Sequence, residues 1–155
     1  MEHKVLDQDV LITEEGLKET IEYTTYQNNV VFRKGYWSDD NMLKIAKYYG
    51  KDGKTLIEKH YFRDDGSFQL AILYQTDGVA PHSVIPHEKH YYVKEGVFDK
   101  VHAYRDNGVL EQIQYFREDQ TIEKVDFFDD KGNFMFQKNC DNNGNLINNV
   151  KLVGR

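Results

Sequence analysis

The chain has 155 residues, of which 39% are hydrophobic, 30% charged and 14% aromatic. This length fits one domain, and the scarcity of aliphatic residues relative to rings and charges favours an extended or curled sheet over a compact core. The 20 Lys and Arg against 26 Asp and Glu give a formal charge of -6, so a phosphate backbone would be repelled on average. The composition therefore argues against a nucleic-acid partner.

The start of the chain does not have the pattern of a signal peptide, because no apolar run follows Met1. No stretch approaches the length that a membrane-spanning helix needs. Cys140 is the only cysteine, so an intrachain disulfide is excluded. We therefore expect a cytoplasmic protein without membrane insertion.

Residues 1–28 follow the pattern of the remaining chain less well. Glu14-Glu15-Gly16 followed by Ile21 and Tyr23 resembles a degenerate repeat, whereas the spacing of apolar residues from Leu11 to Ile21 would also suit a short amphipathic helix. Terminal repeats are atypical because they cap the end of an array. We predict an atypical N-terminal cap over 1–28, formed by a strand, with the helix as the alternative.

From Asn29 onward, a unit of about twelve residues recurs: a turn residue opens it, an aliphatic residue follows two positions later, and an aromatic pair ends it. The step from Gly66 to Gly96 is 30 residues and holds two units plus an insertion, because Gly78 lies 12 residues after Gly66. A fixed period across most of a chain indicates a repeat protein. The opening residues are Asn29, Asn41, Gly53, Gly66, Gly96, Gly108, Gln120, Gly132 and Gly144.

The junctions between units carry the residues that tight hairpin turns require, as in Asp106-Asn107-Gly108. Seven or eight residues rich in Val, Ile, Phe, Tyr and Thr separate the junctions, which is typical of strands. Each hairpin should bring the aromatic pair beside the apolar residue after the turn, as Tyr104 beside Leu110. We therefore predict an all-β fold, an antiparallel β-meander of about ten strands in a single domain over 1–155.

Alternation of polar and apolar residues places Ile113 with Tyr115, and Val125 with Phe127, on one side of this sheet. The other side would be only half apolar. The pattern predicts one face that is more apolar and one face that mixes polar and apolar side chains.

Large rings are favoured at protein-binding surfaces. Trp37 is the only tryptophan, and it forms an aromatic cluster with Tyr36, Tyr48 and Tyr49. These rings also occupy the structural positions of the repeat, so cross-strand packing is the competing interpretation. We take Trp37, Tyr49 and Tyr92 as candidate partner-binding residues.

The insertion, predicted as a loop over 79–90, contains both prolines and His82, His87 and His90. Three imidazoles close in sequence suggest a zinc site, but spacings of five and three match no standard ligand motif. Loops on a rigid scaffold are frequent recognition sites. We therefore predict that these histidines contact a partner, and we predict neither a metal nor a cofactor.

The sequence has no phosphate-cradling glycine loop, no nucleophile elbow and no paired metal motif. Acidic residues such as Asp64 and Asp130 stand at turns, where Asp is favoured for backbone reasons. We therefore predict that the chain has no catalytic residues of its own.

Two repeat units, Ala103–Leu110 and Asp126–Phe134, resemble the units of MORN-variant repeat proteins, which include bacterial antitoxin or immunity proteins. The same units are similar to the β-meander add-on domain of certain bacterial glycosyltransferases. The first resemblance implies a toxin or another protein as partner. The second implies an acceptor polypeptide and a role in holding an enzyme or oligomer together.

We predict a non-catalytic protein-interaction module that recognises a toxin, an enzyme or an acceptor polypeptide through its sheet face, an edge strand or the loop over 79–90. The alternative is an acceptor-binding or oligomerisation accessory domain of a bacterial glycosyltransferase. An exposed sheet edge also predicts a homodimer formed edge to edge.

Overall fold

The computed structural model describes residues 14–17, 19–75, 85–143 and 145–150. These residues form one turn of helix, α1 (Glu14–Leu17), and an antiparallel sheet of eleven strands in sequence order. The order begins at β1 and ends at β11, so the sheet is not closed, and the predicted all-β meander is confirmed. The strands are β1 (Ile21–Gln27), β2 (Val30–Trp37), β3 (Leu43–Tyr49), β4 (Leu56–Phe62), β5 (Phe68–Tyr74), β6 (Pro86–Lys94), β7 (Val97–Tyr104), β8 (Leu110–Phe116), β9 (Ile122–Phe128), β10 (Phe134–Cys140) and β11 (Leu146–Val150).

Contacts divide the chain into two compact units. Within the described residues, unit 1 comprises 14–17 and 19–71, and unit 2 comprises 72–75, 85–143 and 145–150. The single domain over 1–155 stays a prediction.

The residue that opens each repeat has a positive φ in all eight units whose opener the structure describes. Three of these openers are not glycine: Asn29, Asn41 and Gln120, with φ of 68°, 68° and 72°. In a typical turn, the Gly66 amide donates to the Arg63 carbonyl at 2.9 Å, and the Arg63 amide donates to the Ser67 carbonyl at 2.8 Å. This pattern is the three-residue hairpin loop in which a left-handed residue follows a type I turn.

Residues 21–27 of the predicted N-terminal cap form β1, which pairs with β2. The two strands are joined by Asn28 and Asn29, both with positive φ, as a type I′ turn requires. The helix considered as an alternative is restricted to the single turn α1 within the described residues. Residues 1–13 lie outside the described part of the chain.

The loop predicted over 79–90 ends earlier than expected, because β6 begins at Pro86. Proline is tolerated at the first residue of a strand, where no ladder donor is needed. His87 and His90 therefore lie in a strand and not in a loop. Residues 76–84, including His82, lie outside the described residues.

Tyr104 pairs with Leu110, as predicted from the hairpin pattern. The predicted face assignment is wrong, however, because Ile113 stands opposite Asp126, and Val125 stands opposite Gln114. Opposed residues share a face, so Ile113 and Val125 lie on opposite faces. Equivalent positions of these consecutive repeats thus alternate between the two faces, and both faces are mixed.

Each unit has its own small core. In unit 1 the buried apolar side chains are Ile45, Ala46, Leu70 and Ala71. In unit 2 they include Tyr91, Val101, Ile113 and Val125. The Lys100 side chain is also buried in unit 2, with its ammonium 4.6 Å from the centre of the Tyr91 ring.

Turns two strands apart are linked in unit 2. The Arg105 guanidinium donates to the Phe128 carbonyl at 2.8 Å, and the Arg117 guanidinium donates to the Asp141 carbonyl at 3.0 Å. The first bond joins the β7–β8 turn to the end of β9, and the second joins the β8–β9 turn to the end of β10. Arg105 and Arg117 lie at opposite ends of β8, so side-chain hydrogen bonds that span a hairpin are present at both edges of the strand ladder.

Candidate functional site

Strand β1 ends the sheet order, and among the described residues only β2 pairs with it. Its large side chains are exposed: 52% for Ile21, 60% for Tyr23 and 62% for Tyr26. Natural edge strands are usually protected by charges, proline or short length, because an open edge pairs readily with another chain. An edge of seven residues that presents apolar and aromatic side chains therefore has the composition of an interaction surface.

Strand β2, which pairs with β1, places the Trp37 ring beside this edge. Ile21 stands opposite Trp37, and Tyr23 stands opposite Gly35. A side chain at position 35 would place its Cβ 3.1 Å from both the Arg33 Nη1 and the Trp37 Nε1 atoms, so these side chains close over the glycine. Glycine at this position lets the Trp37 ring lie beside the β1 edge.

A pocket of about 570 Å³ opens beside the β1–β2 turn in unit 1. This volume lies within the range of sites that take a small ligand or a partner's side chain. Burial, and next the Glu22 carboxylate, raise the pKa of the Tyr49 hydroxyl. The lining residues are Gln27, Asn28, Val30, Val31, Phe32, Tyr49, Gly50, Lys51 and Ile57.

Two predicted site residues, Trp37 and Tyr49, thus lie near this edge and are half-buried. Trp37 ends β2 opposite Ile21, and Tyr49 lines the pocket with the Lys34 ammonium 5.8 Å from its ring centre. Both rings have protein neighbours and remaining exposed area, so each serves packing and leaves surface for a partner. Their role in binding stays a prediction.

Three further predicted site residues, His87, His90 and Tyr92, lie on β6 in unit 2. His87 is exposed, whereas His90 is half-buried, with its Nε2 atom 2.7 Å from a Glu88 carboxylate oxygen. The His90 and Tyr92 rings both contact Phe98, with ring centres 5.4 Å and 5.0 Å away. The structure therefore brings His90 and Tyr92 together around Phe98 in a cross-strand packing cluster. Their binding role also stays a prediction.

Within the described ranges, no group of three or more His, Cys, Asp or Glu side chains is placed to hold a metal ion. His82, which completed the considered zinc set, falls outside those ranges. In the same part of the chain, no helix has the length and apolar character that crossing a membrane requires.

The β1 edge was not among the residues selected from the sequence. Ile21, Tyr23, Tyr26 and Phe32 belong to the segment treated as an atypical cap or to the first regular repeat. The signal that could have found them is the presence of three large apolar residues between positions 21 and 26, in a segment predicted as a strand. Such side chains are unusual on an edge strand, because natural edges are usually protected by charges, proline or short length.

No protein-family model and no curated protein match the chain. Solved structures similar to it include TarM, known from S. aureus, at 17% identity and a TM-score of 0.38, with 90% of this chain and 20% of that chain covered. The GtfA/B complex bound to UDP and GlcNAc is similar at 12% identity and a TM-score of 0.46, with 83% and 28% covered. Accessory secretory proteins 1, 2 and 3 of Streptococcus pneumoniae are similar at 14% identity and a TM-score of 0.45, with 73% and 23% covered.

This chain thus spans between 20% and 28% of the length of these three structures. The neighbours include glycosyltransferase-related proteins and components of protein complexes. The resemblance to MORN-variant repeat proteins has no support in these comparisons.

Proposed function

We propose that this chain is a non-catalytic protein-interaction module that binds an extended segment of a partner protein along β1. The observation that carries the proposal is the edge strand itself, whose Ile21, Tyr23 and Tyr26 side chains are each more than half exposed. An extended peptide can add to such an edge by main-chain hydrogen bonds, while pockets for its side chains give specificity.

The energetics favour occupation of this edge. Apolar area removed from water contributes roughly 25 cal/mol per Å², and aromatic side chains add large area at low entropic cost. A partner strand beside β1 would bury the outer sides of Tyr23 and Tyr26 and form backbone hydrogen bonds at the same time. The pocket lined by Tyr49 and Phe32 would then accept an apolar anchor of the partner.

Site-specific crosslinking tests this function. A photo-reactive phenylalanine at Tyr23 should crosslink one discrete polypeptide in a lysate of the native cell. The same group at Val93, which is 58% exposed on β6, is the matched control and should not crosslink it. Tyr26→Lys in the Tyr23-labelled protein should abolish the product, because a charge on the edge opposes strand addition.

Equal crosslinking from position 23 and position 93, or a product that Tyr26→Lys leaves unchanged, would contradict binding at the β1 edge. A crosslink to a second copy of this chain would identify the partner as a homodimer mate. Sedimentation of the purified chain before and after Tyr26→Lys would then show a dimer that dissociates.

A second candidate function is an acceptor-binding or oligomerisation accessory domain of a glycosyltransferase. The observation that favours it is that several strands carry half-buried aromatic rings. Rings on successive strands could contact an extended acceptor chain along the sheet. Recovery of a glycosyltransferase or its acceptor polypeptide in the Tyr23 crosslink would support this function. Recovery of a toxin or an unrelated enzyme would support the general module. A cytoplasmic location is part of both proposals.

A further inference from the structure

The pocket of about 570 Å³ in unit 1 lies where the ladder between β2 and β3 ends. The paired residues of these strands begin at Arg33 and Tyr48, so residues 30–32 at the start of β2 lie outside the ladder. The β3–β4 turn packs against them, because a Cβ at Gly53 would lie 3.1 Å from the Val31 backbone nitrogen. The pocket is therefore bounded by the start of β2 and by the two turns that flank it.

Aliphatic walls and one ammonium group characterise this pocket. Val30, Val31 and Ile57 supply apolar surface, and Lys51 is the lining residue that carries a charge at neutral pH. Among the described residues, the Lys51 side chain has neither an ion pair nor a hydrogen bond. An uncharged ligand that covered the ammonium would remove water from it without compensation, which costs free energy. The pocket therefore favours an anion that carries an apolar group.

Two carboxylates in the neighbourhood of this ammonium have partners of their own. Asp52, the next residue in the chain, accepts a hydrogen bond from the Lys54 amide at 2.9 Å. The Glu22 carboxylate, which after burial is the second cause of the raised pKa of Tyr49, lies 3.9 Å from the Lys34 ammonium. The charge at the pocket is thus available to a carboxylate from outside the chain.

The pocket lies at one end of the β1 edge, because Gln27 is both the last residue of β1 and a lining residue. An extended segment that is added along β1 as far as Gln27 therefore ends beside the pocket. A terminal ammonium there would be repelled by Lys51, whereas a terminal carboxylate would be attracted. The charge thus selects which end of a bound segment lies at the pocket.

We propose that the partner is bound through its C-terminus. Its last side chain, large and apolar, fills the pocket, its α-carboxylate pairs with Lys51, and its preceding residues lie parallel to β1. This inference rests on the proposed function, because it takes β1 as the edge that receives the partner. Capture of a terminal carboxylate and addition of a strand to an edge are both known modes of peptide recognition. Parallel pairing is slightly weaker per residue than antiparallel pairing, so the terminal anchor sets the direction of the segment.

An internal apolar residue followed by Asp or Glu fits the pocket less well. Successive side chains of an extended segment point to opposite faces, so the acidic group would point away from the side chain that fills the pocket. In a C-terminal residue, the carboxylate and the apolar side chain are attached to the same Cα atom. Both groups then reach one pocket from one position.

Affinity selection with the full chain tests this anchor. The probes are a random hexapeptide library with free C-terminal carboxylates and the same library with amidated C-termini, and mass spectrometry identifies the retained peptides. We expect enrichment of free acids that end in a large apolar residue. Resynthesised as an amide, an enriched peptide should bind at least about tenfold more weakly, a loss of roughly 1.4 kcal/mol.

Lysine variants assign this difference to one ammonium group. Lys51→Gln should remove the preference for the acid over the amide, and Lys51→Arg should keep most of it. Lys54→Gln is the matched control, because Lys54 is an exposed lysine of the same turn that does not line the pocket, and it should leave the preference unchanged.

Two further readouts report the side chain and the direction of the segment. A Cβ at Gly50 would lie 3.7 Å from the Ile57 Cγ2 atom, an ordinary contact, so Gly50→Ala should fold and should shift the selected last residue toward smaller side chains. A photo-reactive phenylalanine at the last position of an enriched peptide should crosslink to pocket residues, and one at its first position should crosslink near Ile21. The reverse arrangement would show an antiparallel segment and would overturn the inference.

Equal retention of the acid and amide libraries, with both released by Tyr26→Lys, would keep the proposed function and overturn the C-terminal anchor. A preference for the acid that Lys51→Gln leaves intact would overturn it as well. Retention of neither library by the wild type would also overturn it, and the Tyr23 crosslink would then test the proposed function by itself.

Discussion

The side-chain amide of Gln120 forms two hydrogen bonds with the backbone of Phe98, which lies 22 residues earlier. Its Oε1 atom accepts from the Phe98 amide at 2.7 Å, and its Nε2 atom donates to the Phe98 carbonyl at 3.2 Å. Gln120 also opens a repeat with a φ of 72°, a conformation that favours glycine. The bonds to Phe98 explain why glutamine occupies a position where most repeats have glycine.

Gln120→Gly should therefore destabilise the protein even though it relieves the backbone conformation. The substitution removes these two hydrogen bonds and a third, from the Gln120 Nε2 atom to the Arg117 carbonyl at 3.1 Å. Their loss, about 1 kcal/mol each, outweighs the gain from relief of a left-handed residue, so we expect the free energy of unfolding to fall by about 2 kcal/mol. Urea denaturation measures this change. Asn41→Gly, at an exposed opener with a φ of 68°, is the control and should be neutral or slightly stabilising. A stabilised Gln120→Gly protein would contradict this account.

Arg117 links more backbone groups than Arg105 does. Its guanidinium donates to the carbonyls of Ile122 at 2.9 Å, Asp141 at 3.0 Å and Cys140, whereas Arg105 donates to one carbonyl, that of Phe128.

Arg117→Ala should thus lower the free energy of unfolding by about 2 kcal/mol and Arg105→Ala by about 1 kcal/mol, since charged donors form the stronger hydrogen bonds. Chemical denaturation of both variants checks the order. Arg117→Lys should recover less than half of the loss, because lysine lacks the planar fork. Equal stability of the two alanine variants would show that the extra carbonyls contribute nothing.

Tyr115 makes the stability depend on pH in alkaline solution. Burial first, and the Asp126 carboxylate second, raise the pKa of Tyr115 above its ordinary value of 10.0. The folded protein keeps the phenol proton where the unfolded chain releases it, so this contribution to stability is complete below pH 10.0 and is lost as the pH rises above it.

Tyr115→Phe should lose stability at neutral pH, because its hydroxyl donates to Asp126 at 3.2 Å. Between about pH 9 and pH 11, its free energy of unfolding should fall by less than that of the wild type. Denaturation curves at neutral pH and at about pH 9 and pH 11 give both differences. Asp126→Asn removes the second cause of the shift and should reduce the alkaline loss only in part. If Tyr115→Phe loses as much stability at high pH as the wild type does, groups other than Tyr115 cause the loss.

Gly53 and Gly96 have similar conformations but different surroundings. Their φ values are 68° and 80°, yet a Cβ at position 53 would lie 3.1 Å from the Val31 backbone nitrogen, whereas a Cβ at position 96 would meet nothing within 4 Å. Gly96→Ala should therefore cost about 1 kcal/mol from the backbone conformation alone, and Gly53→Ala should cost clearly more. Thermal unfolding of the two variants measures the difference. Equal costs would mean that the turn shifts freely away from Val31.

Much of the fold could be predicted because one signal recurs in every repeat. The openers deduced by counting include Asn29, Asn41 and Gln120, and the structure gives each of them the positive φ that the pattern requires. Agreement among many repeats identified these residues where a single turn would not have done so. The boundary at Pro86 was missed because proline and neighbouring histidines are typical of loops, whereas an initial strand position also tolerates proline.

The candidate sites depend on information that a single sequence does not carry. Which residues face each other depends on the bulges between strands, such as the one between Tyr36 and Trp37. The exposure of Tyr23 and Tyr26 depends on β1 having no second neighbour among the described residues. Period and turn chemistry identify strands, but register and edge position decide what each face presents.

The alternation seen at Ile113 and Val125 limits how an array of this kind can change in length. If one strand were gained or lost, every later strand would reverse its direction and turn its side chains to the other face. Arg105 and Arg117 each donate to a carbonyl two strands away. If a strand were gained or lost within that span, such a side chain would no longer reach the same carbonyl. Gain or loss of a hairpin restores both direction and face, so such proteins can grow or shrink with their surfaces intact only by strands in pairs.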